Sequence, residues 1–180
     1  GFVMGRPDPT DGATFVATRT GTAWTLRARL NPDSTQQFGE HVSLSSSGTR
    51  ITVSGSRRFF AFDSADGWNA WTRESILTLV PQTSGQVYGE PGYARLSPDG
   101  NTFVANGFVM RRSGGTWSQI RDFALDGYRS GSALSRDGSR ILVGRQNGQT
   151  LDFQQYSGQT FMPVGNPVAV FDAMGDEQQL

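Results

Sequence analysis

Short stretches of alternating apolar and polar residues dominate the chain, and none carries a helical period with capping signals. WTLRARL, from Trp24 to Leu30, alternates as a strand with one wet face does. Ile51-Thr52-Val53 and Ile141-Leu142-Val143 are more continuously apolar, which places them deeper. A hairpin pattern recurs three times, as VSLSSSGTRITVSG, ARLSPDGNTFVANG and SALSRDGSRILVG, with turn glycines at Gly48, Gly100 and Gly138. Asp99-Gly100 and Asp137-Gly138 are strong turn signals, because glycine tolerates positive φ and aspartate hydrogen-bonds its own backbone. Third strands are expected at Thr14 to Arg19, Arg57 to Phe62, Phe108 to Arg112 and Leu151 to Tyr156. Fourth strands are expected at WTLRARL, WTRESIL, WSQIRDF and FMPVG.

A glycine shortly before an aromatic recurs at Trp24, Trp71, Trp117 and Phe161, at intervals of 47, 46 and 44 residues. Units of this length with four strands each predict an all-β fold, a β-propeller of about four four-stranded blades of roughly 45 residues. The approximate repeats are 1–37 (incomplete), 38–87, 88–127 and 128–180, all within one propeller or propeller segment. A β-sandwich is the competing fold, without such a regular internal copy. Strands counted by register number 15, one short of four full blades, which predicts that the 180 residues are a window onto a longer chain. A four-bladed ring with an incomplete blade is the alternative.

Composition removes much chemistry. With no Cys there is no disulfide, thiol nucleophile or cysteine-bound metal. His41 is the single histidine, and all 16 basic side chains are Arg, so multi-histidine metal sites, Schiff-base lysines and P-loop lysines are excluded. The Arg bias has a plain source in GC-rich coding as well as in selection for bidentate contacts. Sixteen basic and 16 acidic residues cancel, so no overall field favours nucleic acid or an anionic membrane, and no apolar run approaches a membrane span.

QQFGEHVSLSSSGTRITVSG, with Phe38-Gly39 and the preceding GTAWTLRARLNPDST, resembles the FG-GAP type of propeller repeat found in integrin α-chain heads and many secreted proteins. Tyr88-Gly89 and Tyr128 stand where later copies would carry the Phe-Gly pair, and LSPDG also resembles TolB-like repeats. The resemblance implies a non-enzymatic module that presents loops to a protein partner for adhesion or assembly, in an extracellular or lumenal compartment. It also implies calcium in the first hairpin loops. SSSGT, SPDGN and SRDGS offer at most one carboxylate each, against the six to eight oxygens calcium takes, so no cofactor is expected. Asp8 with Asp11 and Asp63 with Asp66 are the remaining acid pairs, and turn formation before Gly12 and Gly67 accounts for them.

By the family's topology, the turns after second strands and the connections after fourth strands share the ligand face. Arg6, Arg57, Tyr88, Tyr128 and Arg145 fall there and are the candidate partner-binding residues, Arg and Tyr being common interface anchors. No catalytic residue is assigned. His41 lacks a Ser or Asp at a telling spacing and is expected to make a local hydrogen bond at the rim. A carbohydrate-binding or glycoside-cleaving propeller is the alternative function, its acids to be drawn from Glu40, Glu74, Glu90 and Glu177. The recurring aromatics are expected to pack between blades, and Trp68, outside their register, to make an exposed contact.

Overall fold

The computed structural model describes residues 1–6, 12–31, 38–55, 58–78, 94–105, 107–123, 130–147 and 150–172. Among them the chain is all β, with 15 strands and no α-helix. The first sheet holds β1 (Phe2–Arg6), β2 (Ala13–Thr20) and β3 (Ala23–Leu30). The second holds β4 (Val42–Leu44), β5 (Arg50–Gly55), β6 (Arg58–Asp63) and β7 (Thr72–Thr78). The third holds β8 (Arg95–Leu96), β9 (Thr102–Ala105), β10 (Phe108–Ser113) and β11 (Thr116–Asp122). The fourth holds β12 (Ser130–Leu134), β13 (Arg140–Asn147), β14 (Thr150–Ser157) and β15 (Val168–Asp172). Within each sheet every strand pairs antiparallel with its neighbour in sequence. These are the blades of a β-propeller. No helix among the described residues is long and apolar enough to cross a membrane.

The period of two decides which sheet each residue meets. In β5 and β6, Ile51, Val53, Phe60 and Phe62 enter a core with Val16, Leu30 and Phe38 against the first sheet. Phe59 and Ala61, on the other face of β6, enter a core with Leu96, Phe103, Ala105, Met110 and Trp117 of the third sheet. Val104 and Val109 turn the opposite way and, with Phe123 just after β11, meet Ile141, Val143 and Tyr156 of the fourth. Each fully buried side chain contributes about 1.5–3 kcal/mol, so the sheets hold one another by three cores and none closes on itself. The short strands β4, β8 and β12 lie side by side, and the Leu96 amide donates to Ser43 Oγ at 3.0 Å.

The three hairpin turns form as expected, with φ of 74°, 71° and 73° at Gly48, Gly100 and Gly138. In two of them the aspartate organises the loop. Ser97 Oγ donates to Asp99 Oδ1 at 2.5 Å, and Ser135 Oγ donates to Asp137 Oδ1 at 2.6 Å. Ser47 takes that place in the first turn, 3.1 Å from Ser45 Oγ. One strand departs from expectation. FMPVG makes only an isolated bridge, between Pro163 and Tyr156, and the fourth strand of the last sheet runs at Val168–Asp172. Phe161 sits at φ 58°, and Pro163 has no N–H for a ladder, so regular pairing waits until the chain is past them.

Candidate functional site

At the end of the sheets where second strands turn into third strands, the Phe38-Gly39 pair fixes the local structure. The Phe38 ring is fully buried, edge-on to Phe60 at 5.2 Å and to Phe62 at 6.1 Å. Gly39, at φ 94°, lies so close to the β1–β2 ends that a Cβ would press on Ala13 O and Arg6 N. Its amide donates to Ser54 O at 3.0 Å, and the Ser54 amide returns a bond to His41 O at 2.9 Å. Arg6, Glu40 and His41 are thereby collected in one corner. His41 Nε2 is 4.0 Å from Glu40 Oε1, and the His41 amide donates to Ser54 Oγ at 3.0 Å, a local hydrogen bond made through the backbone.

Of the five residues singled out for partner binding, the structure places Arg6 in this corner, exposed at the end of β1. Arg145 lies in β13 with its backbone paired to Asp152, and its side chain lies outside the described residues. Arg57, Tyr88 and Tyr128 also lie outside the described residues, as do Asp8, Asp11, Glu90 and Glu177.

A charged network between the second and third sheets had no signal in the sequence. Arg112 Nε donates to Glu74 Oε1 at 2.6 Å, its Nη2 also touches that oxygen, and Trp117 Nε1 donates to Glu74 Oε2 at 3.0 Å. Burial works to raise the Glu74 pKa, but the hydrogen bonds from Arg112 and Trp117 and the charge of Arg112 outweigh it and hold the carboxyl below its ordinary value. Arg50 is nearly buried and spans the same gap. It donates to Gly100 O at 3.0 Å, to Asn101 Oδ1 at 2.9 Å and to Asp63 Oδ1 at 3.2 Å. Arg111 faces the other way and lies 5.0 Å from the Phe161 ring centroid, as alternation along a strand requires.

Two acids considered above as a pair are thus otherwise occupied. Asp63 faces Arg50 and Arg112, and Asp66 accepts from the Ala70 amide at 2.8 Å and the Asn69 amide at 3.2 Å. Glu74, a candidate sugar-cleaving acid, is tied up by Arg112 and Trp117. Trp68 corrects an expectation. It is half-buried and packs on the second sheet's core, edge-on to Trp71 at 6.2 Å. It covers Gly48 so closely that a Cβ there would strike the ring. Trp24 departs the opposite way, 55% exposed where Trp117, its counterpart in the third sheet, is 7% exposed.

Comparison with solved structures agrees with the fold. The chain is similar to a protein from Lactobacillus plantarum, at 15% identity and TM-score 0.60 over 92% of this chain and 54% of that one. It is also similar to a candidate 6-phosphogluconolactonase from Bacteroides fragilis, at 13% identity and TM-score 0.58 over 94% and 55%. The β-propeller domain of Cps50 (Swd1) from Myceliophteria thermophila aligns at 12% identity and TM-score 0.57 over 89% and 53%. The chain spans about half the length of these structures. Comparison with protein-family models and with curated proteins finds no match.

Proposed function

We propose that the chain is a non-enzymatic β-propeller module of FG-GAP type that presents loops to a protein partner, for adhesion or assembly in an extracellular or lumenal compartment. The observation that carries this reading is how the Phe38-Gly39 pair is used. It anchors the connection between two blades and fixes Glu40 and His41 beside Arg6 at the end where second strands turn into third strands. Arg6, Arg57, Tyr88, Tyr128 and Arg145 form the contact surface, with protein as the principal partner. A rigid frame that positions polar loop residues loses little entropy on binding, which is what a docking module needs.

The test is quantitative cross-linking of the tagged protein to its co-purified partner, in wild type and in Arg6→Ala and Arg145→Ala. Each variant is expected to weaken partner recovery roughly tenfold, the effect of truncating an interface Arg, with an unchanged melting temperature. A large fall in melting temperature with recovery intact would make these residues structural. The carbohydrate reading is tested with the same protein. Reproducible binding on a glycan array would overturn protein as the principal partner, and turnover of a glycoside or a sugar lactone would overturn the non-enzymatic assignment.

A further inference from the structure

Each of the last three sheets turns one face toward the sheet before it, and the same positions supply that face every time. In the third sheet they are Phe103 and Ala105 of β9, Met110 and Arg112 of β10, and Trp117 of β11. The strand registers place Phe2, Met4, Ala17, Arg19 and Trp24 at those positions in the first sheet. Phe2 pairs with Ala17 as Phe103 pairs with Met110, and Arg19 pairs with Trp24 as Arg112 pairs with Trp117.

In the first sheet this face is uncovered. Phe2 is 48% exposed, Met4 51% and Leu26 62%. Phe2 and Trp24 stand edge-on at 5.7 Å, and with Ala17 they line a groove of about 380 Å³. The groove exists because Ala17 is small where the other sheets carry Phe62, Met110 and Tyr156. Arg112 and Trp117 both donate to Glu74 of the preceding sheet. Arg19 spends its Nε on Gly21 O at 2.7 Å, and among the described residues no carboxylate faces Arg19 or the Trp24 indole.

We propose that this face receives a further blade of the same repeat type, which lays an apolar side chain into the Phe2–Ala17–Trp24 groove and brings a carboxylate from its outermost strand to Arg19 and Trp24. The apolar contact matches the three cores already present, and the Arg–Trp pair sets the charge of the occupant. A second copy docking through its fourth sheet does not meet the requirement. Tyr156 bridges Pro163 as Phe62 pairs with Arg73, so Val164 stands where Glu74 does, and Ser157 stands where Asp63 does. Similar solved structures hold about as much chain again as the part matched here, so this fold with further blades has precedent. The inference is independent of the function proposed above.

The experiment places the photocrosslinking residue benzoylphenylalanine at position 24, and separately at position 26, in the protein as its source produces it, and sequences the crosslinked peptide by mass spectrometry. The expected product at either position joins a strand peptide that carries Asp or Glu and lies in a segment with this chain's hairpin spacing. Arg19→Gln, or amidation of that acid by mutation, is expected to cut its yield severalfold. A crosslink to residues 1–180 of a second copy, to a peptide without a carboxylate, to a segment without the repeat, or no crosslink at both positions would overturn the proposal. Position 26 serves as the control for folding, because Leu26 is exposed and its replacement removes no core contact.

Discussion

Glu74 is the residue on which the contact between the second and third sheets turns. It accepts from a guanidinium and an indole at once, and among the described residues Arg112 alone of the two donors has a second carboxylate near, Asp63 at 3.8 Å. Glu74→Gln is expected to cost about 2 kcal/mol, the worth of a hydrogen bond to a charged group, measurable as a lower urea midpoint at unchanged m. The pH dependence follows from four carboxylates, among them Asp66, which is held below its ordinary value chiefly by the Ala70 amide. Asp137 is held down to about 2 from 3.8 by the Ser135 hydroxyl and by the backbone amide and hydroxyl of Ser139. At Asp99 burial works upward, and the Ser97 hydroxyl with the Asn101 donors outweighs it. Asp66, Asp99, Asp137 and Glu74 all bind a proton more weakly folded than unfolded, so their stabilisation is complete above about pH 5 and is lost as pH falls toward 2. A series of melting temperatures from pH 6 to 2 is expected to fall over that window, and Glu74→Gln to flatten its upper part.

Among the elements, the three hairpin turns share one backbone conformation and differ in what surrounds the glycine. At Gly138 a Cβ would have ordinary contact with Pro98 at 3.5 Å, at Gly100 it would lie 3.1 Å from Ser45 Cβ, and at Gly48 it would strike the Trp68 ring. Alanine is therefore expected to cost about 1 kcal/mol at Gly138 from positive φ alone, more at Gly100 and most at Gly48, in thermal unfolding of the three variants. These turns were legible in the sequence because Asp-Gly and Ser-Gly act within four residues. The strands were legible because their faces alternate. The Glu74 network was not, because its partners lie 38 and 43 residues away and no periodic mark links one outer strand to the next blade. Trp24 misled for a related reason, since a repeat position shows which way a side chain faces and not whether a neighbour is there to cover it.

For the molecule as a whole, the three cores among the described residues make a linear series, in which the second and third sheets each contribute to two cores and the first and fourth to one. Amide exchange is expected to be slowest in β5, β6, β9 and β10 and faster in β1 and β15, an ordering that uniform protection across all four sheets would contradict. The candidate partner surface was legible only as a face of the fold. The position proposed for it follows from strand order, and no repeat pattern in the loops specifies what it would hold. Strand order also sets the folding rate. A chain in which each strand pairs only with its sequence neighbour closes every sheet through short loops, and so keeps its contact order low for an all-β protein. Refolding within milliseconds, quicker than Greek-key sandwiches of similar size, is the kinetic consequence, and each hairpin can form before the chain beyond it has emerged from the ribosome.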